Sequence, residues 1–484
     1  MKAIVAVLDK TEGNAVHKVA SMLSILGRKG ADAFCMATKD QALVKGSLEK
    51  LQIEGLKSPT AIGHVFIKIL AQDKPCVKQI GNAAFILDGR IYTPNARLPE
   101  VDIVAQKLEK DVEIGAESLL REFDGCFAFV IARDKKLIVG RDTLGLYPLY
   151  YGESGDILAF ASERKALWKI GIKRTESFPP GSLLIADRRG LKLKPVKILS
   201  RSVTAPLLIG EAVKKLQTLL ERSIRERTHG LSEVAVAFSG GLDSSLVAWL
   251  AKKVGVKVHL IHVSLKSQLE TEQAEKAASM LDMPFYTFLY NEEDVEHALS
   301  NVFLAMEDHS PLMASIGIPI FWVVEKAAEL GFKVLFTGQG ADEYFGGYRR
   351  YVDIYRRFGE EAVEKAMVQD ILAMHENNFE RDSKICAFNN VELRLPFATH
   401  SIAEFALSLP LKMRIESPSD PFRKVVLRRT AEKFGLPPQI VNRPKKAIQY
   451  TTGVAKAIKR LAKKNRLTVK QFLQKLFLEV FEEF

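Results

Sequence analysis

"AVAFSGGLDSSLVAWLAKK", Ala235–Lys253, places two glycines, an aspartate and three serines between an apolar run and an amphipathic stretch. The run Val234–Phe238 predicts a buried parallel strand, and Leu246–Leu250 predicts the apolar face of a helix. A turn between them opens onto a helix N-terminus, where unpaired N–H groups and the dipole favour an anion. Gly240 and Gly241 let the backbone approach that anion, and Ser239, Ser244 and Ser245 add hydroxyl donors. Asp243 would repel a phosphate unless a cation lay between them; Mg²⁺ bridging Asp243 and a polyphosphate removes the conflict. No lysine follows the second glycine, so this is not the Gly-x-x-x-x-Gly-Lys-Ser/Thr loop. The plainer reading is a glycine-rich turn with a serine cap, common in α/β proteins.

The chain has 484 residues, enough for two or three domains with their own cores. With 47% hydrophobic and 26% charged residues, it reads as soluble and globular. Ala3–Leu8 is too short for the core of a secretory leader, and no uninterrupted apolar run is long enough to span a bilayer. The four cysteines (Cys35, Cys76, Cys126 and Cys386) form no Cys-x-x-Cys pair, so reduced thiols in a cytoplasmic protein are expected. The net charge of +12 admits anionic partners such as nucleotides or RNA. Lys456, Lys459, Arg460, Lys463, Lys464 and Arg466 fall largely on one helix face, which reads first as a solvated surface and second as an RNA contact.

Short strands with turn signals fill the first half: Lys2–Leu8, Asn82–Leu87, Cys126–Ala132, Lys136–Gly140 and Ile157–Ser162. A polar stretch at 193–206 reads as a linker between domains at 1–192 and 207–484. Beyond it, strands at Val234–Phe238, Val256–Val263, Pro284–Leu289 and Lys333–Thr337 alternate with helices. That alternation argues a doubly wound parallel sheet with ligands at its carboxyl edge. From Tyr351 to Phe484 the expectation is mostly helix.

Ser239–Ser244 resembles the pyrophosphate loop of the ATP pyrophosphatase families, and the resemblance extends along nearly the whole chain. "TGQGADEYFGGYRRY" (Thr337–Tyr351), "NNVELRLPF" (Asn389–Phe397) and "NRPKKA" (Asn442–Ala447) resemble motifs of the glutamine-dependent asparagine synthetases. "RKGAD" (Arg28–Asp32), "FDGCFAFVIARD" (Phe123–Asp134), "GRDTLGLYPLYY" (Gly140–Tyr151) and "SERKAL" (Ser162–Leu167) are similar to that family's N-terminal scaffold. The implied fold is an α+β N-terminal-nucleophile sandwich of the class II glutamine amidotransferase kind, then an α/β ATP-pyrophosphatase-like domain with a helical C-terminal part. The implied cofactors are ATP and Mg²⁺, with Asp243 and Asp342 as metal ligands and as catalytic residues together with Lys445. Ser239, Gly240, Gly241, Ser244, Ser245, Gly338, Gly340 and Glu270 complete the implied nucleotide site.

The glutaminase half departs from the family. Lys2 stands where the resemblance calls for the nucleophilic cysteine, and no other nucleophile is assigned; Cys35 reads as a small core residue. Asp88-Gly89-Arg90 replaces Asn-Gly-Glu, and Phe66 takes the place of the arginine that clamps the glutamine carboxylate. A carboxylate cannot donate to an oxyanion. The acceptor side departs too: Gln339 replaces a glutamate, and Leu312–Gly317 replaces a segment with an arginine and two hydroxyls. Gln339, Glu307 and Ser315 are the acceptor candidates, with Asp308 beside Glu307. Arg381, Asp382, Glu392 and Arg394 read as a helix-packing ion network, and Lys446 as solvated.

The leading expectation is an ATP-dependent carbon–nitrogen ligase that adenylates a carboxylate, aspartate first, and uses ammonia or another amine instead of glutamine. The alternatives are an RNA-modifying ATP pyrophosphatase, a β-lactam-synthetase-like amide ligase and a non-catalytic nucleotide-binding regulator. The expected partners are the carboxylate and amine substrates, with RNA as the macromolecular alternative, no membrane, and a second copy of the chain in a homodimer.

Overall fold

The computed structural model describes residues 3–27, 30–92, 99–201, 207–444 and 448–482. Two compact units divide the chain, Met1–Ile198 and Leu199–Glu483. The expected linker begins inside the first unit, because Gly190–Pro195 is a strand paired with Ser182–Asp187. Its alternation was masked by lysines on an exposed edge, where side chains need not be apolar.

In the first unit every strand pair is antiparallel. One sheet runs Glu176–Ser177, Tyr150–Ser154, Ile157–Ala161, Ala3–Asp9, Thr60–Phe66, Ala33–Ala37, Ala42–Lys45. The other runs Gly190–Pro195, Ser182–Asp187, Lys136–Arg141, Asp124–Arg133, Ala83–Tyr92, Cys76–Ile80. Side chains alternate across a strand, so Ile4, Ala6 and Leu8 enter the core between the sheets with Ile86, Val130 and Phe160. Ala3, Val5 and Val7 face the other way and pack with Val19 and Leu23 of the helix Val16–Leu26. Helices Glu100–Leu108 and Val112–Glu122 cover the outer face of the second sheet through Leu108, Leu119 and Leu120. Both faces of the central strands are covered, which is why Ala3–Asp9 and Asp124–Arg133 read as continuous apolar runs, whereas the edge strands Gly190–Pro195 and Ala42–Lys45 stay partly exposed.

The second unit holds a parallel sheet of five strands, ordered Phe285–Tyr290, Lys257–Leu265, Glu233–Ala237, Val334–Phe336, Glu392–Arg394. In chain order that is 3-2-1-4-5, so the direction of winding reverses between Glu233–Ala237 and Val334–Phe336. Such a reversal opens a crevice at the carboxyl ends of those two strands. Beyond Tyr351 the described residues are mostly helical, as expected, with this last strand as an element the sequence did not announce. Three residues with Glu392 and Arg394 among them carry no strand signal alone; pairing with Val334–Phe336 makes them one. Consequently Glu392 and Arg394 form their ion pair along a strand, 2.6 Å between Nε and Oε1, rather than between helices.

Among the described residues one helix, Pro311–Glu329, is long and apolar enough to cross a membrane by length and composition; Glu325 and Lys326 interrupt its apolar run. More than half of it (56%) is buried within the unit, against Lys257–Leu265 and the helices Glu292–Met306 and Glu380–Phe388. Ser310 caps it, accepting from the Met313 amide.

Candidate functional site

The loops after the two crevice strands are the ones the sequence singled out. Ser239–Asp243 follows Glu233–Ala237 and leads into the helix Leu242–Lys253; Thr337–Asp342 follows Val334–Phe336. They meet so closely that a Cβ on Gly338 would lie 2.8 Å from Asp243 Cβ and 3.0 Å from the Ser244 amide nitrogen. A cavity of about 620 Å³ opens there.

Asp243 and Asp342 converge on one point, and a lysine ammonium holds it. Lys424 Nζ lies 2.7 and 2.6 Å from the two carboxylate oxygens of Asp243 and 2.6 Å from Asp342 Oδ1. Lys424 is 2% exposed. A Cβ on Gly347 would come 1.9 Å from Asp342 Oδ1 and 2.3 Å from Lys424 Cε, so only glycine leaves room for this contact. Sequence reasoning missed Lys424, which is 181 residues from Asp243. A faint signal existed: a cation at the N-cap of the helix Val425–Lys433 opposes the helix dipole.

Two carboxylates that reach one cation are a donor set suited to Mg²⁺. Bound there, Mg²⁺ would neutralise polyphosphate charge; Asp243 and Asp342 would hold it. Ser239, Gly241, Asp243 and Ser244 line the cavity, as do Glu270, Gly338, Gln339, Gly340 and Asp342. Ser239 and Ser244 hydroxyls sit 3.2 Å apart. Gly240 shapes the loop from behind, its carbonyl accepting from Arg443 Nη1 at 2.8 Å. Arg443 and Arg428 add two more cations to the wall. Burial draws the pKa of both below the usual guanidinium range, Asp243 opposing it at Arg428 and Glu270 at Arg443.

Other sequence candidates fall elsewhere. Ser245 is fully buried and does not line the cavity, and its hydroxyl has no hydrogen-bond partner among the described residues. Ser315 donates to the Leu312 carbonyl at 2.8 Å, so its hydroxyl is spent on its own helix and Leu312, Met313 and Ile316 face the cavity instead. Glu307 is buried in an ion pair with Lys384 at 3.2 Å, away from the cavity wall. Helical phase and a long-range partner decide both positions, and neither is visible locally. Lys445 lies outside the described residues, as do Lys446 and Lys2.

Conversely, Arg381 and Asp382 line the cavity while paired to each other at 2.7 Å. Glu343 also lies on the wall, 2% exposed, accepting from Tyr348 at 2.5 Å and Asn378 at 2.6 Å. Burial, reinforced by Asp342, pushes its carboxyl above the usual range. On the helix Val454–Lys464 the basic side chains are exposed, with Arg460 2.8 Å from Glu292.

In the first unit Asp88 is 2% exposed between the sheets. It accepts from Tyr147 at 2.7 Å, and His64 Nε2 is 3.2 Å from its other oxygen. Burial opposes ionisation of Asp88, yet His64 and Tyr147 outweigh it and hold the carboxyl well below its ordinary range. Tyr147 OH and Ser162 Oγ lie 2.9 Å apart. Arg90 pairs with Asp73 and lies 3.6 Å from Glu100. Phe66 is buried, 5.9 Å from His64 between ring centroids. Burial, with the charge of Asp88, pushes the Cys35 thiol up to about 12, so it is no nucleophile at neutral pH.

A switch-point crevice with paired carboxylates in the second unit is the feature of a nucleotide-using α/β fold, and the first unit is an amidotransferase-like sandwich. The asparagine synthase family matches residues 215–361 and 355–482, and the glutamine amidotransferase domain matches 63–169. A Methanocaldococcus jannaschii protein, assigned by name to the glutamine-hydrolysing asparagine synthetases, is 33% identical over 423 residues, 77% of this chain and 78% of its own. Asparagine synthetase 2 of Arabidopsis thaliana, named as glutamine-hydrolysing, is 28% identical over 413 residues, 79% of this chain and 69% of its own. Its Oryza sativa counterpart is 29% identical over 416 residues, 79% and 67% respectively. The chain belongs to the asparagine synthase family. It is an ATP-dependent amide ligase of the asparagine synthetase kind.

Proposed function

We propose that this ligase activates a carboxylate, aspartate the first candidate, and joins it to ammonia or another amine without hydrolysing glutamine. A carboxylate oxygen attacks the α-phosphorus of ATP and pyrophosphate leaves. The amine then attacks the acyl carbon, AMP leaves with the bonding pair, and the surplus amine proton passes to solvent. Asp243 and Asp342 would hold Mg²⁺, which would neutralise polyphosphate charge; the Leu242–Lys253 helix N-terminus, Arg428 and Arg443 orient the phosphates. Lys445 neutralises developing charge on the phosphate.

One observation supports the activation step above others: the carboxylates of Asp243 and Asp342 converge on a single cation at the switch point. The choice of nitrogen rests on the first unit. Asp88 presents an ionised acceptor where an oxyanion would need a donor, Arg90 is committed to Asp73, and Phe66 brings no charge to meet a carboxylate. The unit is then a structural partner.

The test measures pyrophosphate released from Mg·ATP with aspartate plus ammonium, and separately with aspartate plus glutamine. Release with ammonium only, with AMP and asparagine as products, is expected. Equal release with glutamine would overturn the nitrogen assignment. No release with either would remove aspartate as the acceptor.

A further inference from the structure

Lys424 is held against three unfavourable influences. Arg423 and Lys424 both have left-handed backbone, φ 55° and 57°, a conformation that residues with a side chain rarely adopt, here twice in succession. Lys424 is the N-cap residue of the helix Val425–Lys433, a position where the dipole disfavours a positive side chain. And the side chain is buried. The segment is pinned in this form: Asp420 accepts from the amides of Phe422 at 2.8 Å and Arg423 at 2.9 Å. Arg423 Nε donates to the Gly347 carbonyl at 2.9 Å, and Arg428 Nε to the Arg423 carbonyl at 2.8 Å. Among the described residues the ammonium itself is met by the two carboxylates of Asp243 and Asp342. The backbone is fixed, while four rotatable bonds leave the ammonium able to shift within the cavity.

We propose that Lys424 is a resident counter-cation. Its ammonium keeps Asp243 and Asp342 in metal-binding register and competes with a divalent metal for them. Metal therefore binds tightly only together with an anion that takes over the ammonium. The consequence is order: free metal does not load the cavity, and metal arrives with its polyphosphate. This rests on the proposed ATP chemistry for the identity of the anion alone; the competition itself is a matter of one ammonium and two carboxylates. Lys424 is a positioning residue in this role.

The test is Mn²⁺ binding to the full chain, read by electron paramagnetic resonance without turnover. Wild-type protein should bind Mn²⁺ alone weakly, and at least about tenfold more tightly with α,β-methylene-ATP present. Lys424→Met should bind Mn²⁺ alone about tenfold or more tighter than wild type, and Lys424→Arg no tighter than wild type. Lys424→Gln keeps a donor between the carboxylates and serves if the methionine variant fails to fold, judged by circular dichroism. Neutral variants that fold and bind Mn²⁺ no tighter than wild type would overturn the proposal. So would a wild-type protein that binds Mn²⁺ alone as tightly as with the analogue, once the analogue's own binding is shown. If the analogue does not bind while the neutral variants still tighten the metal, the ATP reading fails and the competition stands.

Discussion

The inter-sheet interior of the first unit and the crevice of the second both gather buried charge, and they use it in opposite ways. Around Asp88 most polar groups have partners: Tyr147 donates to it, His64 Nε2 lies 3.2 Å away, and Ser162 accepts from the Ile4 amide at 2.8 Å, though the His64 Nδ1 has no hydrogen-bond partner among the described residues. At the crevice, the carboxylates of Asp243 and Asp342 converge on one cation, and Arg428 and Arg443 line the cavity beside them. A satisfied network stabilises a fold and has little left to offer a substrate. An arrangement that stays stable only while a mobile cation remains in place is poised to exchange it. On the function proposed above, that difference is the one between a structural unit and a reacting site within one chain.

The contrast breaks most visibly at Asp243. Asp243→Ala should lower pyrophosphate release by about a thousandfold or more while leaving thermal unfolding of the first unit unaltered; a loss of under about tenfold would move the chemistry elsewhere. Gly347→Ala should follow, at about a hundredfold, because its Cβ would displace Asp342 or Lys424; steady-state assays with ammonium measure it. Asp88→Asn should do the reverse. It should cost about 2 kcal/mol of stability, the worth of a hydrogen bond to a charged group, and leave ammonium-dependent activity unchanged. Because the folded protein holds this carboxyl below its unfolded value of 3.8, the stabilisation is present above about pH 4. It fades as the pH falls through the lower folded pKa, so denaturation of wild type and variant should converge only in strong acid. A wild type no more stable than Asp88→Asn at pH 7 would contradict the closed-network account. The smallest effect belongs to Ser315→Ala, within about twofold in activity and about 0.5 kcal/mol in stability, since its hydroxyl serves the Leu312 carbonyl. A tenfold rise in KM for the acceptor would restore Ser315 to the acceptor site.

Much of this was legible locally. "SGGLDSS" after an apolar run fixes a strand, a turn and a helix start within a dozen residues, and each signal is a neighbour of the next. Five strands of the sandwich, at Ala3–Asp9, Ala83–Tyr92, Asp124–Arg133, Lys136–Arg141 and Ile157–Ala161, were legible as apolar runs because both their faces are covered; Ala33–Ala37 and Thr60–Phe66, among others, were not read from the sequence. Gly338 and Gly340 could be placed beside Asp342 for the same reason of proximity, and the strand before them set the edge they occupy.

What only the tertiary structure decided were questions of phase and of distance along the chain. One turn of helix rotated Ser315 and Ser245 away from the cavity and turned Leu312 and Ile316 toward it. Pairing with Val334–Phe336 made a strand of Glu392–Arg394, whose own composition argues for none. Lys424 reached Asp243 and Asp342 from a segment whose sequence carries no motif, through two left-handed residues that cost energy locally and are held only by contacts made elsewhere. Sequence determines local chemistry because neighbouring residues share one backbone; the charge balance of the crevice depends on residues that meet only after the chain has closed on itself.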